Sequence, residues 1–327
     1  MQIKKILSSS AIVMAAALII SLITNQLGVF PDEALTTELR PNLTILLLAI
    51  MMTLSLSRIP SRNLSPFNNP KSILRGILMG LIISAVIPIV GFLLLKDTQY
   101  ASYAEGLVFI AATPFAASVA PLSMILRGDA EHAVRSTMYV YVASLLWIPL
   151  VVFMLLGEKV DILDLAKTTI YIIGAPLVVS RFITWVKFDR DMLAIVLNLI
   201  IAFLVWLSVS PTSFNCGPWL LIAFGIIAAV RSFGLGLVVE VAERRGNLEW
   251  SQRVTDILMV SYKNKGIAIA LCVATAGVIV PHAMVAIATS IVVEICWVIF
   301  MDSVLFSKRR MERELSKVSD PGDASRT

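Results

Sequence analysis

Residues 104–126 read AEGLVFIAATPFAASVAPLSMIL, and residues 254–276 read VTDILMVSYKNKGIAIALCVATA. Each is long enough to cross a bilayer, whose hydrocarbon core of roughly 30 Å takes about 20 apolar helical residues. Each is also interrupted in its middle. In the first, Pro114 and Pro121 each remove a backbone donor and clash with the preceding turn. The small residues between them let another backbone approach closely. In the second, Lys263, Asn264, Lys265 and Gly266 put two cations, an amide and a glycine at membrane depth. Such groups are tolerated there where they are paired or line a polar cavity, and unwound backbone only where protein or a wetted cavity surrounds it.

The rest of the chain has the composition of a membrane protein. Of 327 residues, 58% are hydrophobic and 15% charged, with a mean hydropathy of +0.87. Soluble domains carry about 25% charged residues, so most of this surface is not built to face water. Apolar runs bounded by prolines or charge clusters predict ten transmembrane helices near 6–26, 41–57, 72–95, 104–126, 133–157, 164–181, 191–209, 218–240, 254–276 and 281–306. With the N-terminus placed in the cytoplasm, twenty Lys and Arg fall in cytoplasmic segments and four in outer ones. The other three, Arg231, Lys263 and Lys265, lie inside spans. That asymmetry follows the positive-inside rule and predicts an inner or plasma membrane protein with both termini cytoplasmic. The pI near 9.2 is then an orientation signal and not one for nucleic acid.

The first 25 residues, basic and then apolar, also fit a cleaved signal peptide, which would leave nine spans. A long apolar run with no small-x-small site after it favours a retained helix.

Enzymatic signals are missing from the sequence. Cys216, Cys272 and Cys296 are scattered, with no CxxC or Cys/His spacing. His132 and His282 both sit near helix ends, which argues against a metal centre or a His-based nucleophilic triad. No Walker A loop, HExxH or GxSxG occurs, so no enzyme chemistry, catalytic residue, metal or cofactor is expected.

Ten spans divide into two five-helix halves, residues 1–160 and 161–307, followed by a short, charged and mobile cytoplasmic tail, 308–327. In that division the two interrupted spans, four and nine, correspond. Paired broken helices meeting near the bilayer midplane are a hallmark of transporters built from inverted repeats. Prolines alone are also consistent with a simple kink; the second break at the matching position favours the crossover.

These features resemble the bile acid:sodium symporter family. Pro114 and Gly128-Asp129 stand at the family's spacing in span four, and Lys263-Asn264-Lys265-Gly266-Ile267-Ala268 takes the register of its Gln-Asn-Ser-Gly-Leu-Ala. Met51-Met52-Thr53-Leu54-Ser55-Leu56 is similar to its end of span two. The resemblance implies panel and core domains with a site where spans four and nine cross. It places the family's sodium ligands on Val119, Ala120, Met259 and Lys263, none of which suits sodium. Thr137 in span five is the one hydroxyl it retains.

The expected site therefore gathers Thr113, Pro114, Ser118, Pro121, Thr137, Lys263, Asn264, Lys265 and Gly266 around a substrate. Arg231, Glu294 and Asp256 are the candidates for charge pairing or proton coupling. Lys263 or Lys265 is expected to fill the space of a lost sodium ion while the other lysine, or Arg231, pairs with Glu294; a lysine that sheds and regains a proton is a variant. A purely structural pairing of the lysines is the competing reading. The expected partners are the lipid bilayer and a small organic anion carried by sodium-independent or proton-coupled transport. A related ten-helix efflux carrier for a weak acid or metalloid, and a receptor or scaffold on a transporter fold, are the alternatives.

Overall fold

The computed structural model describes residues 7, 10–31, 34, 35, 39–59, 69–186, 189–212, 214–275 and 280–319. Lys4, Lys5, Arg62, Lys187 and Arg326, counted above for orientation, lie outside them, as does the end of the tail. Among the described residues the fold is all-helical: α1 Ser10–Leu27, α2 Leu39–Ser57, α3 Pro70–Leu95, α4 Ala101–Ala112, α5 Val119–Ile125, α6 Ala130–Leu156 and α7 Ile162–Phe182. There follow α8 Arg190–Val209, α9 Pro218–Arg245, α10 Trp250–Ser261, α11 Lys265–Ala274, α12 Val280–Phe300 and α13 Lys308–Ser319. Short π-helical turns interrupt α3 at Leu78–Ile83, α7 at Ile170–Gly174 and α9 at Val230–Gly234, and extend α12 over Met301–Leu305.

Local chemistry sets the boundaries. Asn69 caps α3, accepting from the Ser72 N–H at 3.1 Å, with Pro70 at the first position where its missing donor is harmless. Asp129 caps α6 through the His132 N–H at 2.9 Å, and Gly157 at φ 62° ends it. Seven helices are long and apolar enough to cross a membrane, whereas Ile12–Leu27, Ala101–Ala112 and Lys265–Ala274 are shorter. The ten expected spans therefore do not all appear as single full-length helices. Spans four and nine are divided at their breaks into α4 plus α5 and α10 plus α11, each piece shorter than a bilayer.

Leu146, Met154, Phe182, Trp185 and Trp219 are among the large apolar side chains left exposed. Apolar exposure on this scale is unfavourable in water and natural in lipid, and Trp185 and Trp219 stand at helix ends, where tryptophan favours the interface. Inside, α1 packs on α8, and α2 on α7 and α8. Asn25 Nδ2 ties the first pair by donating to the carbonyls of Ser210 (2.6 Å) and Thr212 (2.7 Å). α4 packs against α3, α6 and α12, with Gly106 letting the Ala283 backbone come close.

The charged tail departs from expectation. Its first part is the ordered α13, docked on α9 and α10 by Arg253 Nη2 to Glu314 (2.8 Å) and by Arg310 to Glu240. The Trp250 ring lies near both guanidinium groups, 5.7 Å from that of Arg253 and 5.9 Å from that of Arg310.

Candidate functional site

The two broken helices meet. Thr113, ahead of Pro114, is held extended (φ −75°, ψ 146°), as a residue before proline must be, and α4 stops there. Pro121 falls in the first turn of α5, where no intrahelical donor is needed, so it helps start that helix and does not kink a continuous one. Tyr262 and Asn264 are extended in the second break (ψ 90° and 91°).

Across the gap the Ala116 N–H donates to the Tyr262 carbonyl and the Asn264 N–H to the Pro114 carbonyl, both at 2.9 Å. Phe115 and Lys263 thus form an antiparallel bridge. In such a pair the facing residues direct their own polar groups outward. The Phe115 carbonyl accepts from Tyr141 Oη at 2.9 Å, and the Lys263 N–H donates to Glu294 Oε1 at 3.0 Å. Asn264 Nδ2 donates to Tyr141 Oη at 2.9 Å, while Asn264 Oδ1 caps α11 by accepting from the Ile267 N–H at 3.1 Å. The unwinding is therefore closed by specific partners, as buried backbone requires.

The two lysines diverge because the chain between them is unwound at Asn264. Lys263 is 1% exposed, and its ammonium sits among three main-chain carbonyls: Gly80 at 3.4 Å, Ala111 at 3.3 Å, and Thr113. Ala111 and Thr113 lie at the C-terminal end of α4, where carbonyls lack intrahelical partners and the helix dipole is negative. The Gly80 carbonyl comes from the π-helical turn of α3, an irregularity that frees a carbonyl and often marks functional sites.

Lys265 turns the other way. Its Nζ donates to Ser290 Oγ at 2.6 Å and lies 3.4 Å from Glu294 Oε2. Arg231, in the π-helical turn of α9, donates to Glu294 Oε1 at 3.0 Å, to the Ser261 carbonyl at 3.1 Å and to Ser232 Oγ at 2.7 Å. Two cations, Arg231 and Lys265, share one carboxylate, the Lys263 ammonium is turned away to the carbonyls, and all four side chains are almost wholly buried.

The other expected residues divide. Ser118 and Gly266 are half-buried beside the bridge, Gly266 against Leu48 and Met51 of α2. Val119, Ala120 and Met259 are packed in the core. The Thr137 hydroxyl is engaged within its own helix, donating to the Ala133 carbonyl at 2.7 Å. Asp256, a candidate for charge pairing, bonds Arg75 and His132. That assembly, and the pair of buried Glu105 with exposed Lys159 at 2.6 Å, escaped sequence reading because the partners are far apart in the chain. The charge at position 105 inside an otherwise apolar stretch was the signal available; Arg75 and Glu243 read as charged helix ends.

A break in each of two helices, cross-paired and lined by charge, is a transporter's site geometry. The family model described as Sodium Bile acid symporter family matches residues 41–222. The chain belongs to that family. No individual curated protein matches it. The matched stretch contains the first break, from Thr113 to Pro121, and ends before the second. As a member of the bile acid symporter family the protein is an integral membrane protein of a transporter family and not of an enzyme family, with a small molecule as substrate.

Proposed function

We propose that this protein is a secondary active transporter of a small organic anion that works without sodium. The reading includes ten spans in two inverted five-helix repeats, 1–160 and 161–307, with the broken helices crossing near the midplane and both termini cytoplasmic. The matched pair of breaks, and π-helical turns in both α3 and α9, spans three and eight of that scheme, support the repeat.

One observation carries the functional reading. The ammonium of Lys263 is held by the carbonyls of Gly80, Ala111 and Thr113, the kind of oxygen cradle that would receive a small monovalent cation. A tethered ammonium there makes a dissolved sodium ion unnecessary. With Arg231 and Lys265 added, the crossing holds three cations and one carboxylate, an imbalance that an anionic substrate relieves. Lys265, beside Ser290 and the half-buried Gly266, is the contact for the anion, and Lys263 and Asn264 hold the crossing open to it.

Lys265→Gln should weaken anion binding by roughly 10- to 100-fold, the loss of one charge-assisted hydrogen bond, and Lys263→Gln should weaken it too. Measured by titration on the purified protein, unchanged affinity in both variants would sink the proposal.

A further inference from the structure

Roughly 10 Å down the chain from Lys263, at 1.5 Å per helical residue, lies a second buried polar cluster. Asp256 of α10 is fully buried; it accepts from Arg75 Nε at 2.7 Å and meets His132 Nε2 at 3.2 Å. Arg75 Nη2 also donates to Glu243 Oε1 of α9 at 2.5 Å. His132 Nδ1 faces the hydroxyls of Ser72 (2.6 Å) and Ser136 (3.2 Å). The second oxygen of Glu243, Oε2, is buried without a hydrogen-bond partner, although the side chain is only 8% exposed.

The surrounding charges are matched among themselves. On α9, α10 and α13, Glu240 and Glu314 pair with Arg253 and Arg310. On α6, Arg135 pairs with Glu131, and Asp129 caps the helix. Lys71, Arg244 and Arg245 are exposed, Arg244 lying 4.0 Å from Glu314. What remains is one guanidinium between two carboxylates and an imidazole, a set whose net charge is −1 before any proton is added to the imidazole or a carboxylate. A buried unpaired charge is costly, and one proton removes it.

The hydrogen bonds accommodate either state. With His132 neutral, Nε2–H donates to Asp256 and Nδ1 accepts from Ser72. With His132 protonated, Nδ1–H donates to the Ser72 or Ser136 hydroxyl, which turns round to accept. A proton on Glu243 instead gives Oε2 the donor it needs to find a partner. A metal ion is a poor occupant beside a guanidinium, and no group of metal-holding side chains occurs among the described residues.

We propose that Arg75, His132, Glu243 and Asp256 form a site that binds one proton per chain, and that this proton is the coupling ion of transport. The cluster joins α3, α6, α9 and α10. α3 supplies the Gly80 carbonyl to Lys263, five residues beyond Arg75, and α10 leads directly into the break at Tyr262. Uptake of the proton therefore changes the charge that holds Arg75 of α3 and Asp256 of α10, two helices that build the crossing. The coupling clause rests on the transporter reading above; the proton site does not.

The test counts protons. Full-length protein in detergent, unbuffered apart from a pH indicator, is taken from about pH 8 to about pH 6, a range over which an ordinary glutamate takes up only about 2% of a proton. Wild type should take up close to one proton more than Glu243→Gln, and the same excess over Asp256→Asn, since each variant removes the net −1. The exposed Glu249→Gln should match wild type. Two variants are used so that the test survives if one fails to stay monodisperse. Equal uptake by wild type and the folded variants would overturn the site.

In liposomes, a pH gradient should drive accumulation of the anion found by binding for wild type and not for Glu243→Gln; accumulation by both would overturn the coupling. Excess proton uptake with no anion bound by any variant leaves the site standing and removes the transporter reading. Anion binding without excess uptake does the reverse.

Discussion

Glu294→Gln removes the one negative charge at the crossing while keeping the side chain's shape. Oε1 accepts from Arg231 Nη2 and from the Lys263 N–H, both at 3.0 Å, and Oε2 lies 3.4 Å from Lys265 Nζ. A glutamine retains an acceptor for the Lys263 N–H but leaves Arg231, Lys263 and Lys265 without a countercharge. Breaking a buried pair in this way costs about 3–5 kcal/mol. With an unfolding entropy of about 2.1 cal/mol/K per residue, a chain of 327 residues loses about 1.5 °C per kcal/mol, so Tm should fall by about 4–7 °C. The assay is thermal unfolding of purified protein followed by intrinsic fluorescence. Arg231→Met combined with Glu294→Gln should lose less than the two single changes added together, because the pair is removed as a unit. A fall of under about 1 °C for Glu294→Gln, or strict additivity in the double variant, would refute the claim that this carboxylate neutralises the crossing.

Tyr141→Phe removes the hydroxyl shared by the Phe115 carbonyl and Asn264 Nδ2, and should lower stability by about 1–3 kcal/mol, read as Tm. A methyl group on Gly106 would lie 2.0 Å from the Ala283 carbonyl oxygen, so Gly106→Ala should destabilise by at least about 1–3 kcal/mol by forcing α4 off α12. Gly225→Ala meets nothing within 4 Å and should be neutral or up to about 1 kcal/mol stabilising, which makes it the matched control. Arg253→Gln breaks contacts to both Glu240 and Glu314, so α13 should become the first site cut in limited proteolysis.

Much of the architecture was legible because hydropathy and proline are local signals. The positions of α2, α3, α6 and α12 follow from apolar runs, and the division of spans four and nine follows from Pro114 and from the Lys263–Gly266 stretch. The roles within the site were less legible. Lys263 and Lys265 are two residues apart, and only the unwound geometry decides that one faces carbonyls and the other Glu294. The Arg75–Asp256 contact joins residues 181 positions apart, and in the sequence both read as parts of a charged rim. The tail from Lys308 has the composition of a solvated end, yet Glu314 is buried because Arg253 and Arg244 wait for it on neighbouring helices. Pairings of this kind depend on which helix ends come together, and hydropathy carries no information about that.

The central claim is that a tethered ammonium replaces sodium in anion binding. Thermal stability of the purified protein should be measured against a panel of small organic anions, each in sodium and in choline buffer. A ligand at about 100 times its Kd adds about 2.7 kcal/mol, close to 4 °C on the scale above. The account predicts at least one anion that stabilises the protein equally in both buffers; stabilisation that appears only in sodium would contradict it.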